Sequence, residues 1–250
     1  MKDATHTPLV SCIVPVFNGE RYLAEALDSA FAQAYRPLEI VVVDDGSTDG
    51  TARVIAAYGE RVCAMRQDNA GPSAARNRGV RASHGEFIAF LDADDRWHPE
   101  KLTRQMARFA ARPELDLCVT WARNFWIAEL HEEEARFREH RIAAPLPGYL
   151  APTLLARRRA FERVGEFDPS LYFSHSTEWF LRAAELGCIV ELMPDVLYER
   201  RLHHANRSRQ LNAASRDEFL ELVKQHLDRR RAARPANSPA AMSANKHRDR

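Results

Sequence analysis

Four short predicted strands alternate with segments of helical spacing, and this alternation constrains the fold more than any other feature of the chain. The strands are predicted over Leu9–Val16, Leu38–Val43, Arg61–Arg66 and Phe87–Leu91. An uninterrupted run such as Phe87–Leu91 is typical of a strand that is buried on both faces. Strands that alternate with helices favour right-handed crossovers and a mostly parallel sheet. The first part of the chain is therefore predicted to form a nucleotide-binding α/β half.

The remaining elements are predicted from apolar spacing and from the Pro and Gly residues that interrupt it. Apolar residues recur at helical spacing after the first strand until Pro37, and Pro72 fits the first turn of another helix. Gly187 ends a later helix. Helices are predicted over Glu20–Tyr35, Ala74–Ser83, Pro99–Arg112, Trp179–Leu186 and Asp217–Arg231, and a further helix is predicted to begin near Thr51. The charged segment Glu129–Arg141 is predicted to be a helix or a loop. Strands are predicted over Leu115–Trp121, Ile189–Leu192 and Val196–Arg200.

Composition excludes several classes of protein. Lysine and arginine total 36 against 35 acidic residues, a net charge of +1 that gives no reason to expect a nucleic-acid partner. Cys12, Cys63, Cys118 and Cys188 form no CxxC pair, so we expect reduced core residues of a cytosolic protein, without a zinc site or a disulfide framework. No signal peptide is recognisable, and no apolar run reaches about 18 residues, which together predict a cytoplasmic protein.

Three aspartates, Asp92, Asp94 and Asp95, come directly after the apolar run Phe87–Leu91. Carboxylates this close repel one another and stay ionised only beside solvent or a cation. Oxygen ligands suit Mg²⁺ or Mn²⁺, and such an ion in turn suits a diphosphate. In open α/β sheets, ligands bind beyond the carboxyl ends of the strands. The cluster therefore predicts a site for a divalent cation and a diphosphate, with a surface turn rich in Asp as the alternative.

Six motifs point to one family when they are taken together. They are Val10–Gly19, Glu39–Asp49, Asn69–Gly79, Phe90–Asp95, Val164–Asp168 and Arg201–Ser208. In this order they resemble the family 2 glycosyltransferases of GT-A fold, and the resemblance covers about residues 9–209. It implies an α/β fold of GT-A type, Rossmann-like, with a mostly parallel central sheet flanked by helices and a DXD motif at the end of a strand.

The same resemblance implies an activity, its partners and a division of the chain. We expect inverting transfer of a sugar from a UDP-, GDP- or dTDP-linked donor to a hydroxyl acceptor with Mn²⁺ or Mg²⁺, in a setting such as cell-envelope glycan synthesis. Residues 9–112 would form the nucleotide-sugar-binding half, and residues 113–228 the acceptor-side half of the same domain. Residues 1–8 would form an extension, and residues 229–250 a basic, disordered tail that can touch anionic lipid at the inner face of the membrane.

Residues at the ends of the first two strands are expected to contact the nucleotide. The family uses the position of Asp45, or its neighbour Asp44, for a base N–H or a ribose hydroxyl. A helix N-cap is the alternative role. Pro15, Phe17 and Asn18 close the first strand at the same edge. They line the base pocket in this interpretation, or form an ordinary strand-to-helix turn in the alternative.

The resemblance also assigns residues to the diphosphate and the metal. Arg76 is expected to reach the diphosphate or Asp92. Asp92 would face the ribose or the sugar, and Asp94 would bind the metal. His203 would complete the metal shell or contact the diphosphate, and the histidine that follows it is less favoured. Arg201 would meet phosphate. A structural or solvent-exposed role is the alternative for each of these side chains.

The acceptor hydroxyl must lose its proton to a base as it attacks. The family places this carboxylate in a Glu-Asp motif ahead of a helix, but here the Asp position falls on Ser176 of the stretch Ser174–Arg182. Glu178 is the only acid nearby and is the predicted base, with His175 as a weaker candidate and a helix-dipole role as the alternative for Glu178. The departure at Ser176 motivates a second hypothesis, a sugar-nucleotide-binding protein without transfer activity. A nucleotidyltransferase is a third, although the Gly-rich, lysine-containing phosphate loop that it needs is absent.

Overall fold

The computed structural model describes residues 6–171, 173–210 and 213–232. The chain forms two compact units, residues 1–210 and residues 211–250, and the described part of the second is the helix α8 (Ala213–Ala232). In chain order, and leaving 3-10 turns aside, the first unit contains β1 (Val10–Val16), α1 (Leu23–Phe31), β2 (Leu38–Asp44), α2 (Thr51–Ala56), β3 (Cys63–Arg66), α3 (Gly71–Ala82), β4 (Phe87–Phe90), β5 (Arg96–Trp97), α4 (Lys101–Ala111), β6 (Leu117–Trp126), α5 (His131–Phe137), β7 (Leu146–Pro147), β8 (Leu154–Arg157), α6 (Arg158–Val164), α7 (His175–Glu185) and β9 (Val190–Leu202).

The strands of the described residues form one sheet in the order β3-β2-β1-β4-β8-β6-β9-β5, with β7 beside β6. The strands β3, β2, β1 and β4 are parallel, as are β6 and β9, whereas β8 is antiparallel to both β4 and β6. The prediction of an α/β fold with a mostly parallel central sheet flanked by helices is confirmed. Because β1 pairs with both β2 and β4, the loops that follow these three strands leave the same edge of the sheet.

The central strands are buried on both faces, as their apolar sequence predicts. Along β4 the side chains of Phe87 and Ala89 belong to one hydrophobic cluster, and those of Ile88 and Phe90 belong to another. Successive side chains of a strand point to opposite faces, so the two clusters lie on the two sides of the sheet. Polar chemistry is therefore confined to the ends of these strands.

The strands predicted over Ile189–Leu192 and Val196–Arg200 form one continuous strand, β9, which runs beside β6. The register between β6 and β9 shifts across Pro194 and Asp195, which have no partner residue on β6. A bulge suits proline, because proline has no N–H to donate to the ladder. The unbroken strand extends to Leu202 and so delivers the Arg201–Ser208 motif next to the aspartates that follow β4.

Other elements in this half also differ from the prediction. The strand β6 continues past Trp121 to Trp126, because β9 supplies a backbone partner along its whole length. The strand β8, Leu154–Arg157, was not predicted, and it lies between β4 and β6 in the sheet. Only His131–Phe137 of the charged segment Glu129–Arg141 is α-helical.

The cysteines are free thiols, and their burial agrees only partly with a core location. Cys12 and Cys118 are buried, and Cys188 is partly buried. Cys63 is exposed, which corrects the expectation that it is a core residue. It lies on β3, the outermost strand of the parallel half of the sheet, where one backbone edge and much of the side-chain surface face solvent.

Two predicted segments lie mainly outside the described residues. The extension over residues 1–8 is described from residue 6 only, and the basic tail over residues 229–250 is described to residue 232 only. The helix predicted over Asp217–Arg231 is present as α8. None of the described helices has both the length and the apolar character that crossing a bilayer requires. The lipid contact of the tail and the cytoplasmic location stay predictions.

A lysine without solvent contact lies at the start of α4. The Lys101 Nζ donates to Gln105 Oε1 at 2.8 Å and lies 4.5 Å from the centre of the Trp97 ring. Gln105 in turn donates to the carbonyls of Cys118 (2.8 Å) and Thr153 (3.0 Å), which joins α4 to β6 and to the turn before β8. Burial disfavours the charged form and lowers the pKa of Lys101 from 10.5 to about 7.

This buried lysine makes stability depend on pH in a defined direction. Between pH 7 and 10 the unfolded chain keeps the Lys101 proton and the folded chain releases it, so this group makes the free energy of unfolding rise with pH. The buried thiols of Cys12 and Cys118, whose pKa values burial raises, act in the opposite direction. The slope from this one group is at most about 1.4 kcal/mol per pH unit. We expect Lys101→Met to remove that slope, and urea unfolding at several pH values between 7 and 10 measures it. Parallel curves for the variant and the wild type would contradict this assignment.

Candidate active site

The loops after β1, β2 and β4 meet the end of β9 and the start of α7 at one edge of the sheet. Asp94 is the centre of this site. Its Oδ2 accepts a hydrogen bond from His203 Nε2 at 2.9 Å and one from Asn206 Nδ2 at 3.3 Å. The Asp94 side chain is 35% exposed to solvent, whereas the His203 side chain is 10% exposed. The structure therefore brings together the two residues that were predicted to hold the metal.

Asp95 fixes the loop that carries Asp94. Its buried carboxylate accepts hydrogen bonds from the Tyr198 hydroxyl and from the Arg201 backbone N–H, the latter at 2.6 Å. Burial, followed by the charges of Asp94 and Asp92, raises the pKa of Asp95 well above its usual range. Asp95 is thus an anchor between the loop and β9, and Asp94 is left at the surface of the cleft.

The Arg201 guanidinium also holds the loop that carries Asp94. Its Nε donates to the Asp94 carbonyl at 2.8 Å, and its Nη2 donates to Glu25 Oε2 at 2.5 Å. The guanidinium carbon lies 4.7 Å from the Tyr22 ring centre and 4.6 Å from that of Phe125. The role of Arg201 at phosphate stays a prediction, and these contacts favour a positioning role for it.

Arg76 and Asp92 form the second polar pair of the cleft. Arg76 is buried on α3 and donates from Nη2 to Asp92 Oδ1 at 2.5 Å, while Asp92 keeps 31% of its side-chain exposure. The Arg76 Nη1 lies 3.4 Å from His175 Nε2, and Arg207 Nη2 lies 3.0 Å from the same nitrogen. Two guanidinium groups therefore face the imidazole at the start of α7, and one of them is paired with Asp92. Arg207 lies within the Arg201–Ser208 motif, but the sequence assigned no role to it, because its partner His175 is distant in the chain.

Asp44 and Asp45 are both buried at the end of β2. Asp44 accepts from the Ser47 N–H at 2.8 Å and from Arg66 Nη1 at 3.1 Å. Both Asp45 oxygens accept hydrogen bonds at the entrance to α3. The donors are Gln67 Nε2 (2.7 Å), the Ala70 N–H (2.9 Å) and the Gly71 N–H (2.8 Å). The nucleotide role of both aspartates stays a prediction. The contacts of Asp45 are those of a cap at the start of α3, whereas Asp44 makes a turn within its own loop and an ion pair with Arg66.

The end of β1 presents one aromatic side chain to solvent. Pro15 is buried within the strand, whereas Phe17 is 52% exposed. Asn18 adopts a left-handed backbone conformation (φ 51°), which asparagine tolerates in tight turns. Its Oδ1 accepts the Thr48 N–H at 2.8 Å and so joins the loops after β1 and β2. Phe17 is thereby held at the carboxyl edge of the sheet, where a nucleotide base could pack on it.

Residues 11–180 match the family model described as Glycosyl transferase family 2, which is more than half of the chain. The chain belongs to this family. An uncharacterised glycosyltransferase of Rickettsia typhi is 33% identical to this transferase over 215 residues, which cover 82% of this chain and 67% of that protein. The glycosyltransferase GlyA of Streptococcus pneumoniae is 36% identical over 134 residues, which cover 52% of this chain and 18% of that protein.

Solved structures show the same fold at lower identity. S. aureus TarS in complex with UDP-GlcNAc superposes on the transferase with a TM-score of 0.69 and 21% identity, over 87% of this chain and 65% of that chain. The mannosyltransferase PcManGT from Pyrobaculum calidifontis, in complex with GDP-Man and Mn²⁺, superposes with a TM-score of 0.65 and 21% identity. The match covers 96% of this chain and 68% of that chain. The transferase has the GT-A fold, and it spans only part of the length of each of these relatives.

The pair formed by Asp94 and His203 fits a small divalent cation. Two ligands at right angles on an octahedral ion of the Mg²⁺ type lie about 3 Å apart. Asp94 Oδ2 and His203 Nε2 are separated by 2.9 Å in a hydrogen bond, which a cation would replace with release of the Nε2 proton. Among residues 6–171, 173–210 and 213–232, no group of three or more His, Cys, Asp or Glu side chains is suited to hold a metal. A cation here would thus take its other ligands from water and from donor phosphates, as Mg²⁺ commonly does.

The predicted base, Glu178, lies in the first turn of α7 and is engaged within that helix. Its two oxygens accept hydrogen bonds from Arg182 Nε (2.7 Å) and Nη2 (2.8 Å). Arg182 also donates to the carbonyls of Val164 (2.5 Å) and Glu166 (2.7 Å), which ties α7 to the turn after α6. Glu178 as the base stays a prediction, and these contacts favour a structural role for it.

Proposed function

We propose that the transferase moves a sugar from a nucleoside-diphosphate sugar to an acceptor oxygen, with inversion at the anomeric carbon and with a divalent cation at Asp94 and His203. The observation that carries this proposal is the separation of 2.9 Å between Asp94 Oδ2 and His203 Nε2 at the carboxyl edge of the sheet. Two relatives of the same fold support it, since TarS was solved with UDP-GlcNAc and PcManGT with GDP-Man and Mn²⁺.

The positions of the site residues indicate which part of the reaction each of them would serve. A bound Mn²⁺ or Mg²⁺ supplies positive charge that stabilises the departing diphosphate. Asp94 and His203 would hold that ion, and Arg201 keeps the Asp94 backbone in place through its hydrogen bond to the carbonyl. Arg76 would bind a phosphate oxygen or hold Asp92 against the sugar. Inversion requires a single displacement, in which the acceptor oxygen attacks the anomeric carbon opposite the leaving diphosphate.

Donor identity and metal requirement can be tested together. A ligand that binds only the folded state raises the melting temperature, so thermal unfolding would be measured with UDP-, GDP- and dTDP-sugars, each with Mn²⁺, with Mg²⁺ and with EDTA. The best donor would then be assayed for nucleotide release and for sugar transfer. The proposal expects a shift from at least one donor that EDTA abolishes. No shift from any donor, or equal shifts in EDTA, would reject it.

A second candidate, a sugar-nucleotide-binding protein without transfer activity, is favoured by one observation. The position at which the family resemblance places the base is occupied by Ser176, which is buried and has no carboxylate. Donor binding without nucleotide release or transfer, under conditions in which the metal is present, would support this candidate.

Glu178→Gln tests whether the predicted base takes part in transfer. Because the Glu178 carboxylate is held by Arg182, we expect the variant to keep turnover within about tenfold of the wild type. We also expect it to lose about 1 kcal/mol of stability, the value of one partly buried charged contact. Nucleotide release and urea unfolding measure the two effects. A loss of turnover of a hundredfold or more, about what removal of a general base produces, would restore Glu178 as the base.

A further inference from the structure

The imidazole of His203 faces Asp94 without the hydrogen bond that usually orients a metal-binding histidine. Such a histidine binds the metal through one ring nitrogen and commonly donates from the other to a carboxylate or a carbonyl, which fixes the ring. The His203 Nε2 lies 2.9 Å from Asp94 Oδ2. Among the residues that the structure describes, no protein group forms a hydrogen bond with His203 Nδ1. The orientation of this ring is therefore set by packing.

The side chain that packs on the imidazole is Tyr22. The two ring centres are 4.9 Å apart, and the ring planes meet at 48°. The guanidinium carbon of Arg201 lies 4.7 Å from the centre of the same tyrosine ring. Arg201 holds the Asp94 carbonyl and His203 contacts the Asp94 carboxylate. One aromatic side chain thus contacts both of the residues that hold Asp94.

Hydrogen bonds in both chain directions fix the backbone of Tyr22 at the entrance to α1. Its N–H donates to the Gly19 carbonyl, and its carbonyl accepts the Ala26 N–H, both at 3.1 Å. The next residue, Leu23, is fully buried in the hydrophobic core. A side chain on such a segment has little freedom to move, so its ring can serve as a fixed surface for the imidazole of His203.

The hydroxyl of Tyr22 takes no part in these contacts. Its oxygen is buried, and it has no hydrogen-bond partner within the described ranges of the chain. A buried hydroxyl without a partner lowers stability. Phenylalanine at this position would make the same ring contacts without that loss. The structure therefore separates a role of the ring from a role of the hydroxyl, and Tyr22→Phe distinguishes the two.

We propose that Tyr22 is a positioning residue of the cation site, and that its ring holds the His203 imidazole with Nε2 toward Asp94. This inference rests on the proposed function, because it concerns the ion that the proposed function assigns to Asp94 and His203. Tyr22 would act through His203, without a contact of its own to the ion. Residues that orient metal ligands typically contribute about 10- to 100-fold to metal affinity.

Mn²⁺ affinity tests the inference without relying on turnover. Free Mn²⁺ would be titrated by electron paramagnetic resonance on the full chain with UDP or GDP present, for the wild type, Tyr22→Leu and Tyr22→Phe. We expect Tyr22→Leu to bind Mn²⁺ at least about tenfold more weakly than the wild type. We expect Tyr22→Phe to keep the wild-type affinity and to melt at or above the wild-type temperature, since it loses only an unpaired hydroxyl.

Tyr58→Leu is the matched control for loss of an aromatic side chain. The Tyr58 ring stacks on Phe31 with centres 5.7 Å apart, and the guanidinium carbon of Arg61 lies 5.7 Å from it. The Tyr58 hydroxyl makes two hydrogen bonds besides, so this variant loses at least as many contacts as Tyr22→Leu, but outside the site. We expect it to keep the wild-type Mn²⁺ affinity. Thermal unfolding verifies that each variant folds, and Tyr22→Met replaces Tyr22→Leu if the latter does not.

A double variant distinguishes positioning of His203 from a general loosening of the site. If Tyr22 acts through His203, its ring has nothing left to orient once the imidazole is removed. The double variant Tyr22→Leu, His203→Ala should then bind Mn²⁺ as His203→Ala does. A further loss in the double variant, equal to that of Tyr22→Leu alone, would show that the effect does not pass through His203 and would overturn the inference.

The remaining contrary outcomes are distinct for the inference and for the proposed function. Wild-type Mn²⁺ affinity in a folded Tyr22→Leu overturns the inference and leaves the cation site standing. Equal losses in Tyr22→Leu and Tyr22→Phe also overturn it, because the hydroxyl would then carry the effect. An equal loss in Tyr58→Leu overturns it as well. If the wild type itself binds no Mn²⁺ with either nucleotide, the cation site of the proposed function is wrong.

Discussion

Replacing Asp94 with alanine is expected to lower donor turnover by at least about a hundredfold, because a bound cation contributes several kcal/mol to stabilisation of a leaving diphosphate. The carboxylate that would bind the ion is lost, and His203 alone cannot hold it. The protein itself should remain folded, since Asp94 is partly exposed and the loop is anchored by Asp95 and Arg201. Nucleotide release at saturating donor and Mn²⁺ measures the effect.

Asp28→Ala is a matched control for this experiment. Asp28 is an exposed aspartate on α1 that accepts a hydrogen bond from the Tyr58 hydroxyl at 2.9 Å, outside the cluster of site residues. We expect this variant to turn over donor at the wild-type rate. Equal turnover by Asp94→Ala and Asp28→Ala, with EDTA making no difference, would show that Asp94 holds no catalytic cation.

The second large effect is expected at Asp45, and it is an effect on stability. Asp45→Ala removes the acceptor of two backbone N–H groups and one side-chain amide at the entrance to α3. Each hydrogen bond to the charged Asp45 side chain is worth about 1.5–3 kcal/mol. The donors belong to Gln67, Ala70 and Gly71, which are half-buried or exposed, so water recovers part of the loss. We therefore expect the free energy of unfolding to fall by about 2–4 kcal/mol, measured by urea unfolding without donor.

Comparison with Asp45→Asn separates the two roles that the sequence leaves open for this residue. The asparagine keeps one oxygen acceptor and should lose less stability than the alanine variant. If both variants unfold like the wild type but bind donor at least about tenfold more weakly, Asp45 contacts the nucleotide and the capping role is minor. A loss of stability that precedes any loss of donor affinity supports the capping role.

Local features of the fold could be predicted because they depend on near neighbours in the chain. The apolar run Phe87–Leu91 is buried on both faces as its composition indicates. Asn18 lies in the strand-to-helix turn that was the alternative prediction for it, and its positive φ is one that asparagine tolerates. The helix predicted from about Thr51 begins at that residue, whose N–H donates to Asp49 Oδ1 at 3.0 Å in the preceding loop.

Contacts between distant segments explain what the sequence did not reveal. Asp45 caps α3 because β2 and β3 are neighbours in the sheet, which brings the loops after them together. The strand β8 is short and becomes a strand only because β4 and β6 flank it. Arg207 reaches His175 across the cleft. None of these partners is set by spacing along the chain, so each needed the tertiary structure.

Mn²⁺ binding to the complete chain tests the central claim most directly. The free ion would be titrated by electron paramagnetic resonance in the presence of UDP or GDP, with wild type, His203→Ala and His204→Ala. The exposed His204 is the control for its buried neighbour. We expect one strongly bound Mn²⁺ in the wild type and in His204→Ala, and binding at least about tenfold weaker in His203→Ala. The same affinity in all three proteins would contradict a cation site at Asp94 and His203.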